Sequence, residues 1–304
     1  MKKPRRKEPS AANRQNGFTL IELLVLIALA AVLMLTLLPA HASSQTKARS
    51  VRCLDNLRQI MGAVLMYTHD NHDLLPPNPD DATTQLGYTW CQGLASVGSA
   101  TQFNPDILAD PTRCLITTYI NTNVSLFRCT ADTRTGRYQG TNAARIGTIV
   151  PAARTISMSQ AVGTIDPGYN SGGGHSGKPT LPVNGGWLSG VYGGNTAARG
   201  PWRTYGKISQ MVLPLPANLW VLAEEEPLSI NDATLSVSAG TSEWIDFPGA
   251  MHNLACVVAF GDGHTEVHKW VDPRMRLTAP PSLKRVPSND PDWLWFSART
   301  SARF

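Results

Sequence analysis

Five cysteines, at positions 53, 91, 114, 129 and 256, and seven histidines are the side chains of this 304-residue chain best suited to holding a metal or acting as nucleophiles. No two cysteines form a C-x-x-C pair, so neither a dithiol redox centre nor a zinc knuckle is indicated. An odd number leaves at least one unpaired, and Cys256, inside the apolar run LACVVAF, reads as a buried free thiol. The preferred disulfides are Cys53 with Cys129, fastening a helix to the middle of the chain, and Cys91 with Cys114, closing a local loop; spacing alone fixes neither. His252 and the pair Asp262 and Gly263 stand just before and just after one predicted strand of a hairpin. Asp262 is expected to organise the turn by accepting backbone N–H groups, and His252 to hydrogen-bond a neighbouring loop. A metal role for that pair needs further ligands, for which Glu224, Glu225 and Glu226 are the reserve. His264, Glu266 and His268 alternate and so share one face of a strand, a spacing open to Zn²⁺ but equally that of a solvated sheet face. No metal site and no cofactor is assigned on this basis. With no serine elbow, P-loop, Rossmann glycine pattern or H-E-x-x-H helix, no catalytic constellation is complete, and no enzyme is expected.

Aromatic residues give a second chemistry. Trp187, Tyr192, Trp202 and Tyr205 lie in and beside a Gly-, Asn- and Ser-rich stretch from 166 to 200 and could stack on a glycan or a peptide. A membrane-anchored, extracytoplasmic glycan- or peptide-binding module is therefore the second functional reading, although interior packing accounts for four aromatics equally well.

The elements that must position these residues follow from periodicity. Val51, Leu54, Leu57, Met61, Val64 and Leu65 recur at spacings of three and four with polar residues between them, which predicts an amphipathic helix over 44–70. Asn71 to Asp73 and the prolines at 76 and 77 end it. Residues 218–223, 254–260 and 264–270 read as strands, the last two joined by the turn residues Gly261, Asp262 and Gly263. Trp293 to Phe296 form an aromatic cluster suited to plugging one side of the domain.

The formal charge is +5, from 27 basic and 22 acidic side chains. Six basic residues against the single Glu8 fall within residues 1–17, leaving 21 of each sign in the rest. The excess belongs to a leader, so no nucleic-acid partner is implied for the body. Residues 18–40 hold one ionisable group, Glu22, and would span about 34 Å as a helix against a hydrocarbon core of about 30 Å. This predicts a membrane span with the amino terminus in the cytoplasm and the remainder outside. Pro39 is expected to bend the helix before it resumes.

Gly17-Phe18-Thr19-Leu20-Ile21-Glu22, behind a basic leader and ahead of a long apolar helix with Pro39, resembles the processing site of type IV prepilins and type II secretion pseudopilins. His252-x9-Asp262-Gly263 resembles the H-x9-DG signature of pseudopilin-like proteins of planctomycete-type bacteria. Cys53 with Asn56 and Leu57, the helix end from Tyr67 to Asp73, Phe127-Arg128-Cys129 with Asp132, and VVAFGDGHTEVHKW carry the same likeness. The resemblance implies cleavage after Gly17 by a prepilin peptidase, methylation of Phe18, and a role for Glu22 in neutralising the new amine of a neighbouring subunit during assembly. It also implies an α+β, pilin-like fold, with the long helix packed on an antiparallel sheet. The expected organisation is a leader at 1–17, a transmembrane helix at 18–40, its amphipathic continuation at 41–73 and an extracytoplasmic domain at 74–304. The implied function is that of a structural subunit of a secretion or pilus-like filament in the inner membrane, partnered by other pilin-like subunits, secretion machinery and the lipid bilayer.

Overall fold

The computed structural model describes residues 18–78, 89–165, 181–192, 200–282 and 284–304, with 33–44 and 181 described for their backbone alone. The chain divides into two compact units, Met1–Gln45 and Thr46–Phe304. Helix α1 (Leu20–Asp70) begins in the first unit. Its amino end is closed locally: Glu22 Oε2 accepts from the Thr19 amide (2.9 Å) and hydroxyl (2.8 Å), and the Glu22 amide donates to Thr19 Oγ1 (3.3 Å). This reciprocal pair satisfies helix-terminal donors that have no partner within the helix. Pro39 lies inside α1, which is continuous through it.

In the second unit, the part of α1 beyond Thr46 buries Cys53, Leu57, Ile60, Met61 and Val64, while Val51, at the edge of the predicted stripe, is 63% exposed. Beyond α1 come α2 (Asp106–Ala109) and the strands β1 (Thr135–Arg137), β2 (Ile149–Pro151), β3 (Ile156–Ser159), β4 (Thr164–Ile165), β5 (Leu181–Pro182) and β6 (Trp220–Glu224). They are followed by β7 (Thr234–Leu235), β8 (Val237–Ser238), β9 (Glu243–Trp244), β10 (Ala255–Phe260), β11 (Thr265–Lys269), β12 (Lys284–Arg285) and α3 (Pro291–Ser297). The central sheet has the order β11-β10-β6-β3-β7; β1-β2, β4-β5 and β12-β9-β8 form small additional sheets.

Strand alternation divides the core in two. Val257 and Ala259 of β10 join Cys53, Leu57, Ile60 and Met61 of α1 on one side of the sheet. Cys256, Val258 and Phe260 join Trp220, Trp244, Trp270 and Phe296 on the other. The sheet is thus buried on both faces, by α1 and by an aromatic layer that includes α3, which explains why every residue of β6 and β10 is buried.

The sheet is mixed rather than antiparallel as expected, because β3 pairs with β7 in parallel. β6 runs antiparallel to β3, and the connection from Glu225 to Ala233 steps past β3 so that β7 returns on its far side. Arg154, 1% exposed, holds that connection. Its guanidinium donates to the carbonyls of Asp232, Gly93 (3.2 Å) and Ile156 (2.7 Å) and to Ser157 Oγ (2.9 Å).

The membrane-spanning helix expected at 18–40 is corrected: among the described residues no helix is long and apolar enough to cross a membrane. The side chains of Leu20–Val32 in α1 are exposed. Further along, α1 carries Lys47, Arg49, Arg52, Asp55 and Arg58. The pilin-like architecture, the filament-subunit function with its anchored binding alternative, the inner-membrane location, and the partners that depend on a membrane (prepilin peptidase, pilin-like subunits, secretion machinery and bilayer) lose their support with that span. The body is a mixed α+β fold with several sheets.

Candidate functional site: a buried Cys-Cys-His-Glu cluster

Four segments far apart in sequence converge beneath α1. Cys53 lies on the buried face of the helix, between residues of the core stripe. Cys129 follows the short helical turn Val124–Phe127, and its amide donates to Thr155 Oγ1 (2.5 Å), tying it to the entry of β3. Glu224 ends β6, and the Val257 amide of β10 donates to its Oε2 (2.9 Å). His252 precedes β10 in a loop whose next two residues, Asn253 and Leu254, have φ of 57° and 64°. A leucine in the left-handed region carries backbone strain that surrounding structure must offset; here it accompanies the tight turn that directs the His252 ring inward.

Cys53 Sγ and Cys129 Sγ are 3.4 Å apart, Cys129 Sγ lies 3.2 Å from His252 Nε2, and His252 Nε2 lies 3.0 Å from Glu224 Oε1. One ligand atom from each of the four lies within 4.8 Å of every other. All four side chains are buried, at 0–4% exposure. Main-chain amides point at both sulfurs: Thr130 N donates to Cys53 Sγ (3.3 Å) and Ala131 N to Cys129 Sγ (3.3 Å).

The electrostatics follow from burial among like-charged groups. The hydrogen bond from Cys129 pulls the Cys53 thiol well below its usual range against the opposing effect of burial. Burial pushes Cys129 far up, and the neighbouring Cys53 and Glu224 push the same way. Burial also raises Glu224, partly offset by the hydrogen bond with His252. For His252, burial opposes the charged ring, but Cys53 and Glu224 outweigh it and raise the imidazole to about 10. Negative charge on sulfur is thus favoured at Cys53 and balanced by an adjacent imidazolium.

The sequence-derived candidates distribute around this cluster. All five cysteines are free, buried thiols. Cys53 and Cys129 are brought together within the larger group, Cys91 and Cys114 hydrogen-bond each other, and the Cys256 thiol donates to the Glu224 carbonyl (3.3 Å). The two ends of the H-x9-DG pattern do different work. Asp262 Oδ1 accepts from the His264 amide (3.1 Å) and makes a 2.6 Å contact with His264 Nδ1. Gly263 has φ of 94°, where a side chain would be strained. Of the acidic run, only Glu224 reaches the cluster; Glu225 accepts from Ser157 Oγ (2.5 Å) and Glu226 from the Ala250 amide (3.3 Å). His264, Glu266 and His268 do not converge: His264 bonds Asp262, whereas His268 stacks on Trp295 with centroids 3.5 Å apart. Trp187 and Tyr192 meet at 5.0 Å, but Tyr205 is buried with its hydroxyl donating to the Leu213 carbonyl (2.5 Å), and Arg303 covers the Trp202 ring. Phe18 is exposed, Gly17 lies outside the described residues, and Glu22 serves the helix end as described.

The sequence singled out all four cluster members but joined them only in pairs, Cys53 with Cys129 and Glu224 as a reserve ligand for His252. Separations of 28, 76 and 123 residues leave no spacing from which to join the two pairs.

The family described as the prokaryotic N-terminal methylation motif matches residues 12–38, less than a tenth of the chain. No curated protein and no solved structure matches it. The amino-terminal segment therefore carries a methylation motif consistent with a prepilin-like processing signal.

Proposed function

We propose that the chain is a non-catalytic structural module: its amino-terminal signal is processed between Gly17 and Phe18, and its body is cross-linked at Cys53, Cys129, Glu224 and His252. The observation that carries this reading is the convergence of four fully buried reactive side chains from α1, the Cys129 loop, β6 and the loop before β10. Turnover needs a substrate to reach such groups, and three surface hollows of 280, 290 and 300 Å³ are lined by none of them. A cross-link, by contrast, works best where water is excluded. The likeness of His252-x9-Asp262-Gly263, Cys53 and Cys129 to the H-x9-DG signature supports reading these positions together, since three of them, His252, Cys53 and Cys129, are in the cluster and two form the β10–β11 turn.

Cys53→Ser is expected to lower unfolding free energy by about 3–5 kcal/mol, the usual cost of removing one partner from a buried charged group. Urea denaturation of the full chain measures it, and wild-type stability in that variant would sink the cross-link. Processing is tested separately. Mass spectrometry of the chain isolated from its own cells should find methylated Phe18 at the amino terminus; a mature chain retaining residues 1–17 would refute it.

A further inference from the structure

We infer that the Cys53–Cys129–His252–Glu224 cluster is a structural binding site for one divalent metal ion of the zinc class. The inference deepens the cross-link reading above and rests on it. The donor set is two thiolates, one imidazole nitrogen and one carboxylate oxygen, a combination that suits a borderline-soft ion such as Zn²⁺ and is poorly matched to Ca²⁺ or Mg²⁺, which take oxygen. Around Zn²⁺, bonds of about 2.3 Å to sulfur and about 2.0–2.1 Å to nitrogen or oxygen place neighbouring donors roughly 3.3–3.8 Å apart in a tetrahedron. The successive separations of 3.4, 3.2 and 3.0 Å need to open by only a few tenths of an ångström, and the other three, all within 4.8 Å, to close by at most about 1–1.5 Å.

Two further features point to a cation at the centre. The amides of Thr130 and Ala131 aim at the two sulfurs, and that of Val257 holds Glu224 Oε2 and leaves Oε1 directed at the cluster. Such outer hydrogen bonds orient metal ligands and spread their charge. In the form that binds a metal, with both thiols ionised and the imidazole neutral, the donor set carries three negative charges, which a buried space does not hold without a cation. One divalent ion reduces that to a single charge, which the three amides offset. On binding, the ion takes lone pairs from both sulfurs, Nε2 and the carboxylate; whatever protons these donors carried pass to water, and no oxidation state changes. Four protein donors with no solvent exposure leave no open coordination position, which makes the ion structural rather than catalytic.

The test uses the full chain, purified without chelator and supplied with Zn²⁺. Elemental analysis should find one zinc per chain, and Co²⁺ exchange should produce sulfur-to-cobalt charge-transfer absorption. Cys53→Ser and Cys129→Ser should lose the charge-transfer intensity or the ion, and Glu224→Gln, which preserves shape, should weaken zinc at least about tenfold. Cys91→Ser should leave stoichiometry and spectrum unchanged. Wild-type protein with neither zinc nor a charge-transfer band, or with only three reactive thiols in denaturant because Cys53 and Cys129 are oxidised to a disulfide, overturns the metal site. In that event a destabilised Cys53→Ser still upholds the cross-link. Stoichiometric zinc whose removal leaves the melting midpoint unmoved has the opposite meaning: the metal site stands and the cross-link reading fails.

Discussion

His268 projects from β11 against Trp295, and burial, with Arg299 nearby, holds its imidazole down to about 4 from an ordinary value of 6.5. The unfolded chain therefore takes up this proton more readily than the folded one. The contribution is present above about pH 6.5 and is lost as pH falls toward 4. His268→Phe should flatten the stability profile across that window in urea titrations at a series of pH values; an unchanged slope would show that another group sets it. Two glycines make opposite predictions. Gly163 has φ of 116°, and a Cβ there would come within 2.6 Å of Asn78 Cβ and 3.0 Å of the Pro76 carbonyl, so Gly163→Ala should cost at least about 1–3 kcal/mol. Gly62 lies inside α1 with nothing within 4 Å of such an atom. Gly62→Ala should therefore stabilise by about 0.5–1 kcal/mol through helix propensity alone.

At the level of elements, the short helix α3 does more than close the chain. Asp290 caps it by accepting from the Trp293 amide (2.9 Å), and the buried Asp292 accepts from the amides of Val271 and Asp272 just beyond β11. Phe296 stacks on Trp220 of β6 with centroids 4.6 Å apart and lies 5.6 Å from Trp244. Phe296→Ala should cost about 3–5 kcal/mol, because a ring removed from a layer this rigid leaves a cavity that neighbours cannot fill. Denaturant midpoints together with tryptophan emission would show it; a loss below about 1 kcal/mol would mean that the layer collapses around the gap. Strands β6, β10 and β11, the β10–β11 turn and the apolar helix face were legible in sequence because apolar runs, glycine and the helical period are local signals. The parallel partner of β3 was not. Its two residues, Thr234 and Leu235, are too few to show a period, and their pairing depends on the buried Arg154 gathering carbonyls from distant loops.

For the whole molecule, the second unit, Thr46–Phe304, holds both core clusters and all four members of the candidate site. A fragment comprising residues 46–304 should therefore melt cooperatively within a few degrees of the full chain by circular dichroism, and a non-cooperative melt would show that the first unit is needed for the body to fold. Sequence by itself determined the amino-terminal processing signal, the confinement of excess charge to residues 1–17, the amphipathic stretch of α1 and the β10–β11 hairpin. Each rests on neighbours in the chain, so residue order is sufficient to specify it. Apolar composition also suggested a bilayer for residues 18–40, which the described structure did not bear out. Only the tertiary structure decided the mixed sheet and the meeting of Cys53, Cys129, Glu224 and His252. Those contacts arise when α1 is laid across β6 and β10, and loop closure over such separations leaves no trace in local spacing.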